Sequence, residues 1–248
     1  MSESTVKVNA IVVKAKDTGE NDKMLTLLSP QTGKLTVMAK GVKSLRHKSR
    51  SACFPLSYSS FVLKKIKDGL YSLTSADLIE SFRALSGDVV LLSYGAYFAD
   101  LCSMCVQNAI ESEEEVRLLL NTLYVLCKRP DAAPYIKIVF ELKIAQILGI
   151  MPEFSYECPC GERGMFFCPE EGEIRCSAHK APLSCPISQD EIRIALYILQ
   201  SSLKEALFAS CDINTAQSLS LVTEPFLRYH LSVLPDSLDY LHQIIKKM

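Results

Sequence analysis

The chain has 248 residues, 48% of them hydrophobic, enough for one large domain or two to three small ones with real cores. No apolar run approaches the roughly 20 residues that span a bilayer, and the polar start Met-Ser-Glu-Ser-Thr lacks the apolar centre of a secretory leader, so the expected setting is the cytoplasm. The net charge of −1 hides an asymmetry: residues 1–80 hold 13 Lys and Arg against 7 Asp and Glu, a surplus of +6, which leaves −7 for residues 81–248. A basic head beside an acidic body fits a polyanion-binding module joined to a protein-binding one, with chance segregation the plainer alternative.

Val6 to Lys14 alternates, with Val6, Val8, Ala10 and Val12 on one face, and leads to the turn signal Asp17-Thr18-Gly19. Met24 to Leu28 is a second apolar run, closed by Ser29-Pro30-Gln31-Thr32-Gly33, and Lys34 to Lys40 is a third. Leu56 to Ile66 and Leu70 to Thr74, separated by Lys67-Asp68-Gly69, read as a further hairpin. Five short strands predict a small antiparallel barrel, and among five-stranded barrels the OB-fold is the one that holds single-stranded nucleic acid on an open face. Phe54, Tyr58, Phe61 and Tyr71 are the aromatics at hand. Aromatics in strands more commonly fill a core, so none is assigned a stacking role here.

Gly33 to Arg50 carries six basic side chains, Lys34, Lys40, Lys43, Arg46, Lys48 and Arg50, and no acid. Leu35, Val37 and Ala39 face one way while Lys34, Thr36, Met38 and Lys40 face the other, so one face builds a core and the other meets an anion. Gly41 breaks the strand, and Val42 to Arg50 reads as a flexible cationic loop with little means of burying itself, suited to a phosphate backbone. His47 lies within it.

From about Ser81 the period changes to that of helices. Val89 to Ile110 is apolar nearly all round, the pattern of a helix buried in a bundle. Ser112 with Glu115 forms a capping-box pattern ahead of Val116 to Cys127, and Arg129-Pro130 stops that helix. Tyr135 to Leu148 follows, with Gly149 and Pro152 as its terminal signals. Ser188 with Glu191 caps Ile192 to Cys211, and Thr215 to Leu234 and Ser237 to Lys247 finish the bundle, with Pro225 expected to kink or shorten the first of these. The Glu111 to Glu115 acids mark a solvated helix start. His230 and His242 are expected to be structural.

Ten cysteines in a chain of this kind point to metal or burial rather than disulfides. Cys158 and Cys160, with Cys176 and His179, supply two close pairs for a tetrahedral zinc ion, and Cys168 is an alternative ligand if the tight C-x-C turn cannot present both sulfurs; Cys185 lies close by. Gly161, Gly164 and Gly172 fit a small ribbon over residues 154–186, with too little core to fold without one structural Zn2+. Metal-free cysteines and a catalytic metal are the alternatives. A zinc deaminase is excluded by the lack of any H-x-E. Cys102 and Cys105 also form a C-x-x-C, but within an apolar helix, where buried inert thiols are expected, as for Cys53, Cys127 and Cys211. No phosphate-binding loop, dinucleotide fingerprint, nucleophile elbow or H-E-x-x-H occurs, so no enzymatic activity is expected.

The order of Gly19-Glu20-Asn21-Asp22, Leu27-Leu28-Ser29, Gly33-Lys34-Leu35, Ala39-Lys40-Gly41 and Ser49-Arg50 resembles the bacterial recombination mediator family RecO. Phe140-Glu141-Leu142, Leu148-Gly149 with Pro152, Cys160-Gly161 and Cys176 extend the resemblance over nearly the whole chain. It implies an α+β protein: an OB-fold nucleic-acid-binding domain over 1–80, then a helical domain over 81–248 that carries the zinc ribbon. It also implies a mediator that binds single- and double-stranded DNA, anneals complementary strands without ATP and helps RecR load RecA onto strands coated by single-strand-binding protein. That role includes contact with the acidic, apolar C-terminal tail of the single-strand-binding protein, action at the nucleoid and no membrane partner. The six basic residues of the Gly33–Arg50 stretch are the DNA-contact positions carried over. The C-x-C spacing and the histidine in place of a fourth cysteine depart from the common pattern and bear on the ligand set. An RNA-binding OB-fold protein and a protein–protein adaptor are the alternative functions.

Overall fold

A computed structural model describes residues 5–67 and 69–247; Met1 to Ser4 of the polar start and Asp68 of the expected turn lie outside the described residues. Strands β1 (Thr5–Thr18), β2 (Asp22–Ser29), β3 (Gly33–Ala39), β4 (Tyr58–Lys67) and β5 (Leu70–Glu80) close a barrel in the order β1-β2-β3-β5-β4. All neighbours are antiparallel except β3 and β5, which run parallel, so the barrel is the OB-fold expected from the alternation. Val8, Ala10, Val12, Leu25, Leu27, Leu35, Val37, Phe61 and Leu63 point inward and form its core. β1 runs four residues beyond the expected Lys14, because a register shift between Val12 and Lys14 turns the inward alternation by one residue and lets pairing continue to Thr18.

Two helices follow the barrel in sequence. α1 spans Arg83–Ser86 and α2 spans Val89–Cys105, with the Asp88 carboxylate accepting the amides of Val90 and Leu91. Sequence periodicity carries α2 on to Ile110, but the helix stops at Cys105 because the following backbone pairs with the start of β3: the Lys34 amide donates to Gln107 O at 3.0 Å. α2 packs on β1, and the compact unit that contains the barrel comprises residues 1–120 with 239–248. In the C-x-x-C of α2, burial pushes the Cys105 thiol up to about 12 and raises Cys102 well above its ordinary value, the direction expected of buried thiols.

The second unit, residues 121–238, is organised around α4 (Ala133–Ile147). Ile136, Ile138, Val139, Phe140, Leu142 and Ile144 are buried on every side of it, which is why this helix shows no polar face. Gly149, at φ 72°, ends it; the Ile150 amide reaches back to Ala145 O at 3.0 Å. α3 (Glu113–Lys128) bridges the sequence boundary between the units. Around α4 lie α5 (Gln189–Gln200), α6 (Leu203–Phe208) and α7 (Ile213–Leu231), and α8 (Asp236–Ile245) ends the chain.

The single helix expected from Ile192 to Cys211 is two. Ser201 and Ser202 are extended, and Ser202 caps α6 in a reciprocal box with Glu205. α7 continues through Pro225 rather than ending there; the carbonyl that loses its partner belongs to Leu221, a residue 68% exposed where water can take the bond. The insertion forms the sheet β7-β6-β8, from β6 (Phe166–Cys168), β7 (Glu173–Arg175) and β8 (Cys185–Pro186). Its Phe167 stacks on Phe154 at 5.2 Å and meets Phe226 of α7 edge-on at 5.8 Å, and His230 bonds Pro169 O at 3.2 Å. His230 is therefore structural, a latch for the insertion.

Candidate nucleic-acid interface and metal centre

The loop over residues 40–50 is hydrogen-bonded and partly buried, which corrects the reading that it has little means of burying itself. It is a ladder of tight turns in which the amides of Ser44, His47, Arg50 and Cys53 donate to the carbonyls of Gly41, Ser44, His47 and Arg50, at 3.1 to 3.2 Å. Gly41 can start the ladder because its φ of 68° suits glycine. Three further bonds tie it to the barrel: Gly41 N–H to Asp22 Oδ1 at 2.7 Å, Lys43 N–H to Asn21 O at 3.1 Å, and Ala76 N–H of β5 to the buried Ser49 Oγ at 2.8 Å. Val42, Ala52 and Cys53 turn inward and join the barrel core. His47 Nδ1 accepts the Ser49 amide at 3.2 Å and so stabilises the ladder from within.

This scaffold presents Lys40, Arg46 and Lys48 to solvent, and none of the three makes an ion pair among the described residues. Leu45 stands between them at 81% exposure. Lys43 and Arg50 are half-buried on the loop's flank. Lys43 Nζ lies 2.9 Å from Asp17 Oδ2, and that contact holds the Asp17 carboxyl below its ordinary value. Lys34 stands apart at the Gly33 end of β3, six residues from Lys40 and thus roughly 20 Å along the strand.

Two cations that sequence reasoning passed over join the same side. The register shift in β1 sets Lys14 opposite Thr26 and Lys16 opposite Met24, with Thr36 and Met38 of β3 in the next row. Lys14 and Lys16 are exposed and make no ion pair among the described residues. Their i, i+2 spacing in a strand was the available signal. The outer β1-β2-β3 face thus carries lysines, threonines and thioethers side by side, with Lys40 at the end of β3 about two strand widths, or roughly 10 Å, across from β1.

In the insertion, the ligand atoms of Cys158, Cys160, Cys176 and His179 all lie within 4.8 Å of one another. Cys160 Sγ is 3.8 Å from Cys176 Sγ, and His179 Nδ1 is 3.9 Å from Cys158 Sγ and 3.3 Å from Cys176 Sγ. Four ligands about 2.3 Å from a tetrahedral zinc ion are separated by about 3.8 Å, so this donor set fits that ion. The tight C-x-C turn does present both sulfurs: Gly161 N–H closes it on Cys158 O at 2.8 Å. Backbone N–H groups of Cys160 and Cys176 aimed at the Cys158 sulfur draw its thiol down to about 6, towards the thiolate a metal needs. The Glu162 N–H lowers Cys160, but the neighbouring Cys158 and Cys176 sulfurs outweigh it and raise that thiol.

Cys168, the alternative ligand, takes no part; it is buried on β6. Cys185 sits on β8 beside Phe167, outside the ligand group.

A family model described as "Recombination protein O N terminal" matches residues 1–82, and one described as "Recombination protein O C terminal" matches residues 86–238. Relatives named DNA repair protein RecO align along nearly the whole chain. That of Caldicellulosiruptor bescii is 30% identical over 238 residues, covering 95% of this chain and 97% of the relative. The Acetivibrio thermocellus protein is 28% identical over 243 residues, covering 95% and 96%. The Bacillus cereus protein is 22% identical over 244 residues, covering 97% and 98%.

Proposed function

The chain belongs to the RecO family of DNA repair proteins, and from that premise we propose that it is a non-enzymatic mediator that binds single- and double-stranded DNA and anneals complementary strands without ATP. The observation that carries this reading is the set Lys40, Arg46 and Lys48, three exposed cations without ion-pair partners among the described residues, on a loop tied to the barrel. Each neutralises a phosphate and releases a condensed counterion, which gives binding tolerant of sequence and weakened by salt. Three engaged cations give a slope of log affinity against log salt of about −2 on single strands. Lys14 and Lys16 widen the track, Lys43 and Arg50 flank it, and Lys34 contributes from the far end of β3.

Annealing follows from charge neutralisation alone. Two strands held on one basic surface lose their mutual repulsion while their bases stay free to pair, and no side chain has to transfer a proton or form a covalent bond. Cooperation with RecR, indirect loading of RecA and capture of the acidic, apolar tail of the single-strand-binding protein are the family-derived parts of the proposal, as is action at the nucleoid in the cytoplasm. No helix among the described residues is long and apolar enough to cross a membrane. Cys158, Cys160, Cys176 and His179 would hold one structural Zn2+, which when bound cross-links the two turns of the insertion.

The test is annealing of complementary oligonucleotides coated with single-strand-binding protein, at several salt concentrations, for the unaltered chain and for Lys40→Glu and Arg46→Glu. Annealing that needs no ATP, falls with salt and collapses in both variants is the expected result. Annealing indifferent to the reversals would overturn the reading, and a preference for single-stranded RNA would replace it with an RNA-binding one.

A further inference from the structure

Four aromatic side chains belong to the described part of the barrel, and three are committed to its interior or half-buried. Phe61 is in the core, Tyr71 packs against it, and Tyr58 is half-buried. Phe54 differs: it is 44% exposed, directly after the turn ladder, in the connection between the basic loop and β4.

Its backbone is held. Ser57 N–H donates to Phe54 O at 3.1 Å, Leu56 N–H to Val12 O at 2.7 Å and Ser57 Oγ to Ser51 O at 3.2 Å. The ring lines a cleft of about 200 Å³ with Asp17, Lys23, Lys43 and Arg50. The Arg50 guanidinium lies over the ring at 5.5 Å and the Lys23 ammonium over it at 5.7 Å from the centroid, so a base that stacks there displaces a cation from the ring face. A half-exposed ring on a hydrogen-bonded backbone, with a guanidinium over it that can move from the ring to a phosphate, makes a stacking platform for an unpaired base.

We propose that Phe54 is a base-stacking residue for single-stranded nucleic acid: one unpaired base seats on its ring in the cleft while Arg50 moves from the ring face to the adjoining phosphate. This rests on the DNA-binding reading above and adds to it a distinction between strands. Phosphate contacts serve single and double strands alike, whereas a base paired inside a duplex cannot reach Phe54. The Asp17 carboxylate is paired with Lys43 at 2.9 Å and Lys23 at 3.8 Å, which leaves Arg50 as the cation of the cleft for the backbone phosphate.

The experiment uses the full chain with three probes: an oligo(dT), an abasic oligonucleotide with the same number of phosphates, and a duplex. Phe54→Ala is expected to weaken oligo(dT) binding about tenfold, with an unchanged salt slope and unchanged duplex binding. The unaltered chain should favour oligo(dT) over the abasic strand by a similar factor, and Phe54→Ala should abolish that preference. Because the chain has no tryptophan, Phe54→Trp supplies a single fluorophore, which oligo(dT) should quench and the abasic strand should not. Salt-dependent oligo(dT) binding with no quenching and with the preference intact in Phe54→Ala overturns the stacking role and leaves the DNA-binding reading standing. Failure of the unaltered chain to bind any of the three probes overturns both.

Discussion

Ser49 Oγ accepts the backbone N–H of Ala76 at 2.8 Å, a buried bond between the basic loop and β5 across 27 residues of sequence. Ser49→Ala leaves that amide buried without a partner, which costs roughly 1–3 kcal/mol and should appear as a lower urea midpoint. Arg46 and Lys48 lose their fixed placement although no charge changes, so affinity for single-stranded DNA should fall as well. Ser49→Thr keeps the hydroxyl and should behave nearly as the unaltered chain in both assays. Equal hydrogen-exchange protection of residues 41–50 in Ser49→Ala and the unaltered chain would refute the pinning role.

Two glycines with similar backbone angles should respond differently to the same change. A Cβ on Gly33, at φ 63°, would sit 2.3 Å from Ile110 O and 2.4 Å from Gln107 O, both backbone atoms that cannot step aside. A Cβ on Gly41, at φ 68°, would meet only His47 Cδ2 at 3.8 Å. Gly41→Ala should therefore cost only the left-handed strain of about 1–2 kcal/mol. Gly33→Ala should cost several times that, because the junction of β3 with residues 107–110 must open. Thermal melts of the two variants side by side check the order.

Metal content separates the ligands from their neighbour. Protein purified without chelator should carry close to one equivalent of zinc, Cys176→Ser should lose it, and Cys168→Ser should keep it. Loss of metal frees two turns that have little apolar packing of their own, so Cys176→Ser should also expose the insertion to proteolysis while α4 and its neighbours stay protected. Retention of a full equivalent by Cys176→Ser would remove that residue from the ligand set.

The barrel was legible because each strand shows its inward face to one solvent-excluded core, as Leu35, Val37 and Ala39 do on β3. The clustering of Cys158, Cys160, Cys176 and His179 was legible too, since both pairs are local in sequence. The order in the basic loop was not. Its composition reads as flexible, and its bonding partners, Asn21 in the β1–β2 turn, Asp22 on β2 and Ala76 on β5, are distant in sequence. The break between α5 and α6 could have been read from Ser202 and Glu205, a second capping box inside an otherwise continuous helical pattern. Nothing local marks Lys14 and Lys16 as neighbours of the loop, because the shift after Val12 depends on the register with β2.

Least visible of all in the sequence was the ion cluster of α4. Lys137 Nζ lies 2.7 Å from Glu141 Oε1 and 2.7 Å from Glu224 Oε1 of α7, and Thr223 Oγ1 donates to Glu141 Oε2 at 2.6 Å. Lys137 and Glu141 are buried, so removing the ammonium takes from a buried carboxylate the cation that pairs with it. Lys137→Met should cost about 3–5 kcal/mol in urea unfolding, and Lys137→Met with Glu141→Leu should recover much of it, since an apolar pair carries no desolvation penalty. The pH dependence has a definite sign. Burial lowers the lysine, but Glu141 and Glu224 outweigh it and hold Lys137 above its ordinary 10.5. A folded value above the unfolded one means that the contribution is fully present below pH 10.5 and is lost as pH rises through the folded value. Subtracting the stability curve of Lys137→Met from that of the unaltered chain should give a difference that is flat from pH 7 to about 10 and shrinks at higher pH. A difference that grows with pH would mean the ammonium is not the charged centre of the cluster.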